Sequence, residues 1–367
     1  MSFWSRRSAL AVPGAILLSL MIASQTLAAH TWSARIALTT SGGGFPFGII
    51  GLNNTTAVAA YVEWNGSWYD VKVKRSTTSG SSWTGPITLS SDGYSPAISG
   101  MDPFVDVAWE QNGVVRYARS IDGGLSYLPS IPLSSPAFPL DVSVARGAGG
   151  LVVVAWQNGN TSAIRARVST DGGVSFGPAA AFPSNAQSQD TSLAAGNGVV
   201  YVAYKTRYYR LVVRRSLDGG TSWSAPFVAT TDAYGVHGNF SITAVDDHAY
   251  LAFTDDHPGN AWGTVRYRRT LDSGANWSAE RNLAPSTWKT EAPEIELQAG
   301  VLRAAFNRRG SGGSCCSIYY RQSTDGLTWA TSEFVDSSGF DPSLTEAGNV
   351  IVLFQFGTGD AIVRTGS

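Results

Sequence analysis

Six polar side chains stand at one point of a recurring pattern. Ser95, Asp141, Asp190, Asn239, Glu294 and Asp341 each lie three residues before an apolar residue: Ile98, Val144, Leu193, Ile242, Leu297 and Leu344. Four of the six are carboxylates. Gathered around one axis, they could bind a cation, hold sugar hydroxyls, or raise one another's pKa into the range for general acid work. That makes Asp141, Asp190, Glu294 and Asp341 the candidate catalytic residues. The alternative is local, since Asp, Asn or Ser at the start of a strand also binds its own backbone and caps a turn.

A second set mixes aromatic rings with charged and amide groups. It comprises Lys205-Thr-Arg207-Tyr208-Tyr209-Arg210, Tyr234-Gly-Val-His237, Asp255-Asp256-His257 with Trp262 beyond, Trp288-Lys289, and Asn307-Arg308-Arg309. A ring covers the C–H face of a sugar while polar neighbours take its hydroxyls. Arg207, Tyr208, Arg210, Tyr234, His237, Asp255, His257, Trp262, Trp288 and Arg308 are therefore the candidate ligand-binding residues. Trp64-Asn-Gly-Ser-Trp68-Tyr69-Asp70 carries the same chemistry earlier in the chain. The competing reading has these rings covering one another between repeats. Asp255, Asp256 and His257 are adjacent, which restricts how many can face one ion, so no metal site is expected there. No cofactor is expected either, although a cation at the carboxylate ring remains open.

Cys315 and Cys316 are the only cysteines and sit side by side after Gly310-Ser-Gly-Gly-Ser314. Adjacent cysteines close only a strained ring, because ordinary disulfide Cα spacing exceeds the adjacent-residue distance. A vicinal disulfide, two free thiols and a soft-metal site are the alternatives. Export would favour oxidation.

The elements that position these groups are strands. Ser216-Leu-Asp-Gly-Gly-Thr-Ser-Trp223 recurs with drift at 76–83, 120–127, 169–176, 270–277 and, shortened, at 323–329. Alternating runs such as Val265-Arg-Tyr-Arg-Arg269 precede each copy, and a shorter apolar run follows. An Asp-Gly-Gly between two strands is a hairpin turn: Gly supplies positive φ and the carboxylate accepts turn amides. Asp122, Asp171, Asp218, Asp272 and Asp325 are thus architectural, as are the closing rings Trp83, Trp223, Trp277 and Trp329.

Ser-x-Asp-x-Gly-x-Thr-Trp resembles the Asp-box, or bacterial neuraminidase repeat, of sialidases and of other β-propellers, including non-catalytic lectins and assembly factors. The resemblance covers almost the whole chain after residue 28. It implies an all-β propeller, with the boxes away from the catalytic face where one exists. Catalytic sialidases use three arginines around a carboxylate, a tyrosine with a glutamate helper, and an aspartate acid. Their N-terminal Arg-Ile-Pro is only echoed by Arg35-Ile36-Ala37, placed here on an outer strand. Arg207, Arg210, Arg308 and Arg309 could supply arginines, but no triad is evident.

The closing aromatics fall at 83, 127, 176, 223, 277 and 329, at intervals of 44 to 54 residues, the length of a four-stranded blade. Six boxes suggest six blades, yet the chain ends argue for seven. Thr31-Trp-Ser-Ala-Arg-Ile-Ala-Leu38 matches the segments that follow boxes, such as Ser222-Trp-Ser-Ala-Pro-Phe-Val228. It reads as a fourth strand without its first three. Pro342–Thr345, Val350–Phe354 and Ala361–Thr365 supply three strands and stop where a seventh box would begin. A blade shared between both ends leaves no free sheet edge. The fold expected is a seven-bladed propeller closed by the N-terminal strand, with six blades as the alternative.

The remaining bounds come from composition. Ser5-Arg-Arg-Ser-Ala-Leu10, an apolar Ala9–Ile22 and Thr26-Leu-Ala28 read as a signal peptide, residues 1–28, cut near Ala28 and leaving one domain, 29–367. The twin-arginine and general secretory routes both fit, and no membrane span is expected. Net charge is −1 and no long basic run exists, which argues against nucleic acid as partner. The expectation is a secreted, periplasmic or cell-surface monomer that binds glycan or another extracellular ligand. A sialidase-type glycoside hydrolase is the runner-up, and a structural or protein-interaction role is third.

Overall fold

The computed structural model describes residues 28–39, 43–136, 138–182, 189–206, 208–230, 236, 239–255, 263–285, 287–310, 316–356 and 360–367. The signal peptide expected over residues 1–28 lies outside them, except for Ala28. Among the described residues no helix is long and apolar enough to cross a membrane.

Seven four-stranded antiparallel sheets form the molecule. The innermost strands of blades 1 to 7 are Gly44–Gly51, Tyr94–Met101, Leu140–Arg146, Gln189–Ala195, Phe240–Val245, Thr290–Gln298 and Phe340–Ala347. The second strands carry the longest apolar runs, for example Ala57–Trp64, Val152–Gln157 and Val200–Lys205, and are buried along nearly their whole length. They read as continuous rather than alternating because a neighbouring blade covers each face. The core is accordingly divided into seven apolar clusters, each lying between two adjacent blades. Val153 and Ala155 of blade 3 meet Val200 and Val202 of blade 4 in one of them. Ile49, Ala57 and Ala59 of blade 1 meet Ile351 and Leu353 of blade 7 in another.

Blade 7 is made from both ends of the chain. Phe340–Ala347, Asn349–Phe356 and Asp360–Gly366 are followed outward by Ile36–Ala37, with Ile36 opposite Val363 and Ala37 opposite Ile362. The ring is therefore seven-bladed, and the six-bladed alternative is excluded. The join is reinforced by the Arg35 guanidinium, which donates to both carboxylate oxygens of the buried Asp336 at 2.9 and 2.6 Å.

The repeat turns are held as their residue types require. The Ser216 hydroxyl donates to Asp218 at 2.7 Å and accepts the Gly220 amide at 2.7 Å, while Asp218 accepts the Ser222 amide at 2.9 Å. The Ser222 hydroxyl and amide pull the Asp218 carboxyl down to about 2. Asp122, Asp171, Asp272 and Asp325 accept the matching amides. The first turn has no aspartate, and there the Thr78 hydroxyl accepts the Ser82 amide at 2.9 Å. The closing ring of each turn packs back on the preceding blade: Phe176 on Tyr117, Trp223 on Phe182, Trp277 on Tyr201, and Trp329 on Tyr267. Trp83, in the first turn, joins the cluster between blades 7 and 1.

An interblade tie accompanies these rings. Arg75, Arg119, Arg215 and Arg269, each one residue before a turn Ser or Thr, donate to a carbonyl in the next blade's turn. Because Trp223 is half-buried on its neighbour, Trp223→Ala is expected to cost roughly 2–3 kcal/mol, below the range for fully buried rings. A urea denaturation series checks this, with affinity for any funnel ligand unchanged in protein that stays folded.

Candidate functional site

In a four-stranded meander the connections between strands 2 and 3, and between blades, share one face, opposite the repeat turns. On that face the innermost strands carry an irregularity at a common height. Blades 1, 2, 3, 4, 6 and 7 each have a register shift there, within Pro46–Gly48, Tyr94–Ala97, Leu140–Ser143, Gln189–Thr191, Glu291–Glu294 and Phe340–Ser343. Five of the bulged residues take left-handed backbone: Ser95, Asp141, Asp190, Ala292 and Asp341, with φ of 44 to 51°. Asp and Ser tolerate that region better than most residues, and a bulge re-aims its side chain. At these bulges Ser95, Asp141, Asp190 and Asp341 are brought to the wall of one cavity.

The result is a cavity of about 330 Å³ lined by Phe47, Ser95, Asp141, Asp190, Asn239, Glu294 and Asp341, with Pro46, Pro293 and Pro342 among its walls. All six residues singled out from the pattern meet here. One assignment needs correcting. Blade 6 aligns on Ile295 rather than Leu297, because its bulge falls at Ala292-Pro293, as those of blades 2 and 7 fall at Ser95-Pro96 and Asp341-Pro342. Ala292 therefore takes the rim position, and Glu294 sits two residues deeper, level with Ser143 and Ser343. The small Ala292 leaves room for Asn239 Nδ2 of blade 5 to reach Asp341 Oδ1 of blade 7 at 3.2 Å. Blade 1 contributes Phe47, an apolar ring that a pattern of polar residues does not reveal.

The electrostatics are one-sided. Four carboxylates line the cavity, and among the described residues no Lys or Arg does. Behind the rim, buried Lys205 makes an ion pair with Asp190, and its ammonium stands 6.0 Å from the centre of the Phe240 ring. Asp141 accepts the Asp190 amide at 3.2 Å and shares a carboxyl hydrogen bond with Asp190. Burial, then the Asp190 charge, pushes the Asp141 carboxyl up. Burial likewise raises Asp341, with Glu291 adding to it. Glu294 is pushed up to about 7 by burial against a weaker hydrogen bond from Ser241. Further down the channel Glu296, beside Thr345, is pushed up to about 8 by burial.

The other candidate ligand residues are not presented as a set. Tyr208 and Arg210 are exposed on blade 4. Trp288 and Arg308 are brought together, but the guanidinium lies 3.9 Å over the indole and occupies its face. Asp255 is buried and paired with Arg266, so it does not face a ligand. Arg309 is engaged with both carboxylate oxygens of Glu291, and Arg35 lies on the outer strand of blade 7. Arg207, Tyr234, His237, Asp256, His257 and Trp262 lie outside the described residues. Cys316 is held in a disulfide. Cys315, the one other cysteine, lies outside the described residues. No cluster of three metal-ligating side chains occurs among the described residues.

No protein-family model matches the chain, and no curated protein matches it. Solved structures do. Ycf48 bound to D1 peptide superposes with a TM-score of 0.56 at 15% identity, covering 91% of this chain and 94% of that one. A protein of unknown function from Dyadobacter fermentans gives 0.56 at 15% identity over 93% and 99%. The Trypanosoma rangeli sialidase with the inhibitor DANA gives 0.52 at 12% identity, covering 82% of this chain and 61% of that one. The Hadza microbial sialidase Hz136 gives 0.50 at 16%, and this chain spans 63% of its length. At such identities the likeness carries the architecture alone: the chain has the fold of the sialidase-like propellers.

Proposed function

We propose that this chain is an exported Asp-box propeller that binds an uncharged glycan end in the funnel and does not cleave sialic acid. One observation carries the reading: four carboxylates converge on the cavity with no basic side chain among its described lining residues. A sialic acid carboxylate would be repelled there, whereas carboxylates accept hydrogen bonds from sugar hydroxyls and Phe47 offers an apolar wall. The geometry of Asp141 and Asp190 also speaks against glycosidase chemistry by that pair. Their carboxyls are in hydrogen-bond reach, while acid and nucleophile or base stand about 5 to 9.5 Å apart in glycosidases.

The test is a glycan array carrying neutral and sialylated termini. Neutral ends should be captured, and Asp141→Asn and Asp190→Asn should weaken capture about ten-fold or more, as expected for buried charge-assisted hydrogen bonds. Preferential capture of sialylated glycans, indifferent to both variants, would sink the proposal.

A glycoside hydrolase is the second reading, favoured by Glu294, whose carboxyl titrates near 7 while facing the cavity, as a general acid should. On that reading, Glu294→Gln lowers turnover of some fluorogenic glycoside by about 10²–10⁴ with binding retained. Absence of turnover across a broad glycoside panel rejects it.

A further inference from the structure

A second cavity opens on the same face, between blades 1 and 2. It measures about 600 Å³ and is walled by Trp64, Trp68, Tyr69, Tyr94 and Phe138, with Ser67, Asp92, Glu110 and Asn112 among its polar groups. We propose that this groove is a separate binding site for a neutral oligosaccharide chain.

The rings are presented rather than packed away. Trp68 is 66% exposed and Phe138 is 69% exposed. Phe138 also holds a φ of 45°, a backbone region that is costly for a bulky side chain. Exposure and strain at one phenylalanine are two costs, and neither is offset by burial. A glycine would remove both, so a ligand is what the ring serves. Trp68 is carried on a fixed turn: Asn65 accepts the Ser67 and Trp68 amides at 3.0 and 2.9 Å and donates to Asp70 at 2.7 Å and to the Ser91 carbonyl at 3.1 Å. Preorganised aromatic walls lower the ordering cost of binding.

The choice of occupant follows from shape and charge. Edge contacts run from Trp64 to Tyr69 at 5.1 Å, from Tyr69 to Tyr94 at 5.7 Å, and from Tyr94 to Phe47 at 5.7 Å. Phe47 is already part of the funnel wall, so the rings form a track leading to the rim. An elongated track suits a chain of sugar rings better than a compact cation, which an aromatic cage must enclose from several sides. The polar groups complete the match. Asp92 uses one oxygen for Asn112 Nδ2 at 2.8 Å, and Glu110 uses one for the Gly113 amide at 2.6 Å. Each keeps a second oxygen that can accept from a hydroxyl. Among the described residues no Lys or Arg lines the groove, so an anionic glycan is disfavoured.

The experiment is isothermal titration calorimetry of the whole exported chain with neutral β-1,4-linked hexasaccharides of glucose, xylose and mannose, backed by sedimentation velocity. At least one should bind saturably. Trp68→Ala should weaken it about ten-fold or more, as for an aromatic anchor. Phe138→Gly should also weaken it, with the thermal midpoint unchanged or raised, because glycine accepts that φ without strain. In protein already carrying Asp141→Asn, which weakens the funnel, hexasaccharide should still bind, and adding Trp68→Ala should remove that remaining binding, which separates this site from the funnel reading. The proposal falls if no hexasaccharide binds at millimolar concentration, or if binding is lost in Asp141→Asn but kept in Trp68→Ala. It falls equally if tetramethylammonium binds there in place of sugar. Self-association abolished by Trp68→Ala would assign the groove to a second copy of the chain and likewise overturn it.

Discussion

Deleting residues 29–38 is expected to abolish soluble, monomeric protein. The segment is short but supplies the outer strand of blade 7 and closes the ring. Leu38 is buried in the cluster between blades 7 and 1, and losing a buried leucine alone costs about 2–5 kcal/mol. Trp32 packs edge-on to Tyr320 and beside His30. Arg35 leaves Asp336, which is almost wholly buried, with fewer donors. The Asp360–Gly366 strand would become an open edge, a template for pairing with other chains. Together these losses approach the total stability of an ordinary domain, about 5–15 kcal/mol. Size-exclusion chromatography and thermal melting of the truncated chain check this. A monomer with an unchanged midpoint would contradict the closure. Leu38→Ala, which keeps the strand, should stay folded and lose a part of the stability.

A second large effect is a stability that falls as pH rises. Burial lifts Glu294 from 4.5 to about 7 and Glu296 from 4.5 to about 8. A raised carboxyl binds its proton more tightly in the folded chain than in the unfolded one. Between these values the folded state therefore holds more protons, and stability decreases with pH. The contribution is fully present below about 4.5 and is lost as pH passes through 7 and then 8. Each unit corresponds to about 1.4 kcal/mol, and with neither residue fully enclosed the pair amounts to several kcal/mol. Denaturant titrations at pH 5, 7 and 9 should show the decline. Glu296→Gln should flatten it and raise stability at pH 9, since the amide keeps a hydrogen bond with Thr345 without the buried charge. A flat wild-type profile would mean that the channel solvates both groups.

Much of the architecture was written in local residue types. Asp-Gly-Gly with a flanking Ser and a closing ring specifies a hairpin through neighbours a few positions apart, so the turns hold wherever the pattern occurs. Thr31–Leu38 could be matched to the outer strands by its likeness to Ser222–Val228, and strand pairing then left one place for it. The carboxylate ring was legible for the same reason: a repeat fixes which residue stands at each blade's rim. The two-residue slip at Glu294 shows where this stops, because a bulge shifts register without changing composition, and only the pairing of Glu294 with Ala305 reveals it.

Which rings are free could not be read from the chain. Trp288 and Trp68 sit in similar company in the sequence, beside polar and charged residues. Arg308, from the second strand of the same blade, covers the first, while the second stands exposed. Asp255 looks like a ligand residue until Arg266 and burial claim it. Local types and repeat spacing determined the blades, their number and the acidic rim, because those depend on short-range turn chemistry and strand alternation. The tertiary structure decided exposure, pairing and the aromatic groove, because these depend on side chains from separate strands and blades meeting in space.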